Sequence, residues 1–206
     1  MLPIVAALKQ RPDCRGLVPR ELWKYFDEPL LTSAWYPERD YWVLLSALVK
    51  TIDPQTVGGN VWRYFAKYSA RRDIGGVDVN TDGPLKSASS GVYRNFAMID
   101  ASDPAHFFRR GVQLWSQYHD TGYMRILGGR RALNAVVVQL TEFVIPIAGF
   151  VELQGYFLEE YAALVGIQVA SVVTRNTASG DAYCEWEYRL GRSPQTEAFV
   201  ASLPSV

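Results

Sequence analysis

The segment Ala182-Tyr183-Cys184-Glu185-Trp186-Glu187-Tyr188-Arg189-Leu190 decides the fold class. Ala182, Cys184, Trp186, Tyr188 and Leu190 fall on one side, and Tyr183, Glu185, Glu187 and Arg189 on the other. This period of two predicts a strand with one buried and one wet face, as in an antiparallel sheet covered from one side. Upstream, Ala178-Ser179-Gly180-Asp181 reads as a turn and Ile167 to Arg175 as a second strand. Ala148 to Val165 has helical spacing, with Phe150, Leu153, Phe157, Tyr161 and Leu164 on one face and Glu152, Glu159 and Glu160 off it. Pro146 breaks the chain before that helix. Further back, Thr121 to Leu127 and Ala132 to Thr141 read as strands joined by a hairpin turn at Gly128-Gly129. The order is ββαββ.

The first half reads as helices. Pro19 opens a short one through Phe26, and Pro37 opens another carrying Tyr41, Leu44, Leu45, Leu48 and Ile52 on one face. Val57, Val61, Tyr64, Phe65 and Tyr68 form the next apolar stripe, ending at Arg71-Arg72. Ile74 to Gly83 reads as a loop and Leu85 to Met98 as a weaker helix. Asp103-Pro104 caps a helix running through Trp115. The fold class expected is α+β: a helical N-terminal half, then a ββαββ antiparallel sheet with helices packed on one face. Residues 1–30 are expected to be an extension packing on or near a single domain over 31–191, with 192–206 a frayed tail.

Composition narrows the chemistry. The chain of 206 residues is 49% hydrophobic and carries 21 basic and 21 acidic side chains. A core is affordable, and no net charge draws the chain to nucleic acid or anionic lipid. The longest uncharged run, Tyr161 to Thr174, has 14 residues, short of the roughly 20 that a membrane-spanning helix needs. No secretory signal is visible at Met1 to Gln10, and Cys14 and Cys184 read as reduced thiols of a cytoplasmic protein.

Catalytic and cofactor motifs are sparse. Neither GxxxxGK[ST] nor GxGxxG nor GxSxG occurs. Cys14, His106, His119 and Cys184 are the chain's four Cys and His residues and do not cluster in sequence, so no metal site and no cofactor is expected. His106 falls in a first helical turn and His119 just past a helix end, where solvated or capping roles are ordinary; haem ligation by His119, beside Trp115 and Tyr118, is the sharper alternative. Cys184 reads as a small buried hydrophobe. The pairs Glu159-Glu160 and Glu185/Glu187 read as solvated faces, as do Arg71-Arg72, Arg109-Arg110 and Arg130-Arg131. The aromatic content, 13%, is high. Trp115, Phe150, Phe157, Tyr161 and Trp186 would line the space between the long helix and the sheet, as solid core or as an apolar pocket.

The run from Gly149-Phe150 through a helix and strand to Gly180-Asp181-Ala182-Tyr183-Cys184 resembles the end of the 4-vinyl-reductase-type small-molecule-binding domain, with its closing G-D-x-x-C segment. That domain shares a superfamily with haem-nitric-oxide-binding (H-NOX) sensors and TRAPP tethering subunits. The resemblance spans most of residues 30–190, with its motif evidence in 149–190. Trp62 to Tyr64 and the overall layout also look like uncharacterised myxobacterial-type relatives. The resemblance implies helices followed by ββαββ. It also implies departures. Asn176 stands where zinc-binding members carry a Cys, and the Y-x-S-x-R signature of haem members is absent, so neither cofactor carries over.

Two readings follow. The first is a non-enzymatic cytoplasmic sensor in bacterial signalling, binding a small apolar molecule at Trp115, Phe150, Phe157, Tyr161 and Trp186. The second is a scaffold or interaction subunit with a filled core and no ligand. An enzyme would need His119 or carboxylates to converge in a cleft. A homodimer is expected through the N-terminal helices, because Trp42, Val49 and Trp62 lie off the main stripes and a helix apolar on two faces needs two partners. The alternative is that Met1 to Phe26 covers them within one chain.

Overall fold

The computed structural model describes residues 1–31, 36–74, 103–144, 147 and 149–206. Trp35, the 75–83 loop, the helix expected over Leu85 to Met98 and the break at Pro146 lie outside the described residues. The described helices are α1 (Leu2–Lys9), α2 (Lys24–Asp27), α3 (Glu38–Val49), α4 (Val61–Ile74), α5 (Pro104–Tyr118), α6 (Phe150–Leu164) and α7 (Pro194–Ser202). The strands are β1 (Tyr123–Arg130), β2 (Ala135–Thr141), β3 (Val169–Arg175) and β4 (Cys184–Leu190). Among the described residues they form one antiparallel sheet in the order β1-β2-β4-β3. The expected α+β class and ββαββ order hold.

Register divides the sheet into two faces. Val136, Val138 and Leu140 stand opposite Tyr188, Trp186 and Cys184 on one face, all buried. The helices cover this face: Phe108 of α5 meets Tyr188, Phe150 of α6 meets Trp186, and Phe199 of α7 stacks on Phe108. The opposite face carries Gln139, Glu185, Glu187 and Arg189. It is not simply wet. Glu187 is only 2% exposed, because Arg130 and Arg189 close over it, and Glu185 is buried beside Thr174. Long arginine stems shield carboxylates that alternation alone assigns to solvent.

The hairpin turn is displaced from its expected place. Gly128 and Gly129 lie inside β1, after a bulge at Ile126/Gly128, and the chain reverses at Arg131–Leu133 and Asn134, which adopts φ 47°. The glycines are needed for close approach rather than for turning: a Cβ at Gly128 would collide with the Pro204 carbonyl. That contact belongs to a C-terminal segment which is helical, not frayed. Ser193 caps α7 reciprocally with Thr196, Pro194 fits the first turn, and Phe199 and Val200 are buried. Beyond α7, Gly129 donates to Pro204 O (2.7 Å) and Val206 donates to Gly129 O (3.4 Å), covering the outer edge of β1 at that end. At the opposite edge, Glu159 of α6 accepts from the Ser171 N–H and hydroxyl of β3, both at 2.6 Å, and is bridged by Arg63 of α4 at 2.5 Å. Glu159 is therefore a clasp and not a solvated residue.

Trp42 and Trp62 find partners within the chain. Trp42 is 6% exposed, with its ring edge-on to Phe150 at 4.9 Å. Trp62 packs against the backbone of Gly149, where φ is +88° and a Cβ would collide with the indole. The second faces of α3 and α4 are thus engaged by α6 and its approach, which removes the need for a second chain that their patterning suggested. Ile4, Val5 and Leu8 of α1 and Leu22, Tyr25 and Phe26 join the same core.

Candidate functional site

Three of the five sequence-predicted site residues meet around Phe150. Its ring stacks on Phe143 at 4.4 Å and receives the edges of Trp42, Trp115 and Trp186 at 4.9, 6.2 and 6.4 Å. The indoles are fixed by hydrogen bonds. Trp115 Nε1 donates to Thr121 O (3.0 Å) and Gly122 O (3.1 Å), and Trp186 Nε1 donates to Val151 O (2.7 Å). Phe157 and Tyr161 pair with each other at 4.7 Å, about two turns further along α6. The rings around Phe150 sit at the separations of packed aromatic pairs, as a solid core does.

Beside this cluster opens a cleft of about 340 Å³, lined by Pro37, Glu38, Arg39, Val43, Asp120, Thr121, Val144 and Ile147. Three segments meet there: the start of α3, the α5–β1 junction and the approach to α6. Glu38 is the polar centre, with a side chain 9% exposed. It accepts hydrogen bonds from Trp42 Nε1 (3.0 Å) and Thr121 Oγ1 (3.3 Å), and its Oε1 lies 2.5 Å from His119 Nδ1. Burial pushes the Glu38 carboxyl up, but its hydrogen bond and charge interaction with His119, with the hydrogen bond from Trp42, outweigh that and hold it below the ordinary value.

Local geometry puts His119 there. It ends α5 in an extended conformation while its N–H still donates to Trp115 O at 2.9 Å. The imidazole folds back flat on the Trp115 indole, 3.6 Å away and tilted by 2°. A carboxylate at Nδ1 places a ring hydrogen on that nitrogen. The i,i+4 pairs Glu38–Trp42 and Trp115–His119 are visible in the sequence. Their meeting across 81 residues is not, and the sequence reading missed Glu38 altogether.

No family model matches the chain, and no curated protein matches it. Solved structures do. An H-NOX protein from S. oneidensis in the Fe(II)NO ligation state aligns with TM-score 0.50 and 12% identity, over 92% of this chain and 99% of that chain. A triple mutant of an H-NOX protein from S. oneidensis in the Fe(II) state aligns with TM-score 0.50 and 11% identity, over 93% and 96%. At such identity the likeness establishes the fold. It agrees with the H-NOX branch of the sequence resemblance and does not bear on the 4-vinyl-reductase, TRAPP or myxobacterial branches.

The iron ligation of those neighbours raises the matter of haem, and the described residues do not fit it. His106 is exposed in the first turn of α5. His119 lies flat against the Trp115 indole and is not among the residues that line the adjoining cleft. The space beside Phe150 is filled by neighbouring rings. Among the described residues, no group of three or more His, Cys, Asp or Glu is placed to hold a metal ion. No described helix is long and apolar enough to cross a membrane.

Proposed function

We propose that the chain is a non-enzymatic sensor module of cytoplasmic bacterial signalling, whose ligand is a small, largely apolar molecule seated in the cleft at Glu38. One observation carries the reading: Glu38 holds Trp42 directly and Trp115 through His119, and both indoles bear on Phe150 at the start of α6. A ligand that displaces Glu38 shifts the rings that anchor α6, and a partner reads the shift. Val43, Val144 and Ile147 supply apolar wall, and Glu38, Asp120 and Thr121 supply acceptors at one end. Trp115, Phe150 and Trp186, with Phe157 and Tyr161 further along α6, then form the responding layer rather than the pocket wall. The H-NOX-like fold supports a sensor role by analogy.

Native mass spectrometry of protein purified from its own host tests this. The expected result is a bound small molecule, lost in a Val43→Trp variant that fills the cleft, with a change in tryptophan emission when it leaves. Uniformly ligand-free protein whose emission is indifferent to Val43→Trp overturns the reading.

The filled ring cluster favours a second reading, an interaction subunit with no ligand, for which that negative result is the signature. His119, Glu38 and Asp120 do converge, as an acid–base enzyme would require, but Glu38 is engaged by several donors and His119 is not among the cleft-lining residues. We therefore assign no reaction to them. Homodimerisation loses the support of Trp42 and Trp62; sedimentation of the 23.2 kDa chain at micromolar concentration reads it directly.

A further inference from the structure

We propose that the sheet face opposite α6 docks an acidic segment of a partner protein, a role separate from the cleft. Register places Arg125, Arg130 and Arg189 on this face, with Arg175 at its β3 border. Three of the guanidinia are held from below, and Arg175 faces the half-exposed Asp181 at 3.8 Å. Glu187, 2% exposed, accepts from Arg130 Nη1 at 2.6 Å and from Arg189 Nε at 2.7 Å, while those arginine side chains stay 38% and 50% exposed. Gln139, also buried, accepts from Arg125 Nε and Nη2 at 3.0 and 2.7 Å. Charge is therefore layered: carboxylate beneath, guanidinium donors above.

That layering presents an electropositive surface even though the whole chain has no net charge. Arg125 is held by a neutral amide, so its charge is not cancelled at that contact. Arginines fixed in place meet carboxylates through short, geometrically specific hydrogen bonds and lose little freedom on binding. The weak overall field disfavours polyanions, which bind through long-range attraction. Exposed Tyr123 and Val172 on the same face supply the aromatic and apolar contacts of a polypeptide interface. Every helix whose ring contacts with the sheet are given above lies on the other side.

The test uses the full chain and a fluorescent peptide of about eight residues alternating Glu and Leu, followed by anisotropy at about 0.15 M salt. Saturable binding is expected, with amide shifts confined to β1, β3 and β4. The double variant Arg125→Gln/Arg175→Gln leaves the Glu187 clamp intact and should weaken binding roughly tenfold or more. Val172→Glu, at an exposed position, should weaken it independently by repulsion, so the outcome does not hang on one variant's folding. Absence of saturable binding, or binding that neither variant changes, overturns the proposal. So does tighter binding of oligo-dT, or of phosphatidylserine/phosphatidylcholine vesicles, than of the peptide.

Discussion

Trp186 and Glu187 are neighbours in sequence, equally hidden, and hidden for opposite reasons. Trp186 is 0% exposed because α6 covers it and Val151 takes its indole hydrogen. Glu187 is 2% exposed because its own face's arginines fold over it. The first burial is made by tertiary packing of rings, the second by side chains that remain half in water. The comparison teaches that low exposure is not one energetic state. On the ring face, burial removes apolar surface from water and holds two layers together. On the arginine face, desolvation of the carboxylate is set against charge-assisted hydrogen bonds, and the net effect on stability is small.

The asymmetry can be broken at its strong side first. Trp186→Ala should cost about 3–5 kcal/mol, since it removes a fully buried indole and its hydrogen bond to the Val151 carbonyl. Urea denaturation measures it, and a loss under about 1 kcal/mol would mean that the ring face is not the core. Next comes a carboxylate buried beside rings rather than under arginines. Glu38→Gln should cost about 1–3 kcal/mol at neutral pH, because it weakens the hold on His119 and Trp42 together. Its pKa in the folded chain lies below the ordinary 4.5, so its stabilisation is present above that value and is lost as pH falls through the folded value. The variant's stability should accordingly change less than the parent's below pH 4.5.

The smallest effect belongs to the arginine face. Glu187→Leu should stay within about 1 kcal/mol of the parent at neutral pH, because Arg130 and Arg189 can rehydrate where they stand. Burial raises the Glu187 carboxyl, and hydrogen bonds from Arg189 and Arg130 bring it below 4.5. Whatever stability it supplies is thus present above 4.5 and lost as pH falls further. A stability–pH curve for Glu187→Leu that is as steep in acid as the parent's would show that this carboxylate is not the group titrating.

What could be read from sequence was what period and capping encode. The alternation of 182–190 gave β4, and Asp103-Pro104 gave α5, whose cap is observed at 2.8 Å. Period two could not tell that arginines would roof Glu187, because alternation says which side a residue takes and nothing of what covers that side. Gly128-Gly129 misled for a related reason: glycine marks both turns and close approaches, and here the approaching backbone comes from Pro204, over 70 residues on. The start of α7 is marked by Ser193-Pro194 and Thr196, signals that the expectation of a frayed tail over 192–206 passed over. The Glu38–His119 pairing was not legible, since no local rule joins the first turn of α3 to the residue that follows α5. The sequence-predicted ring residues are divided by helix phase and distance: Trp115, Phe150 and Trp186 meet, and Phe157 and Tyr161 form a pair of their own.

The Glu159 clasp has a consequence for colloidal behaviour. A border strand with open N–H groups is a template for another chain, and β3 is such a border, rich in Val and otherwise exposed on alternate residues. Glu159 fills the Ser171 donor before a neighbour can, while the residues after α7 occupy the far border at Gly129. One acidic side chain on one flank and a stretch of backbone on the other thus occupy edge groups that edge-to-edge pairing would use.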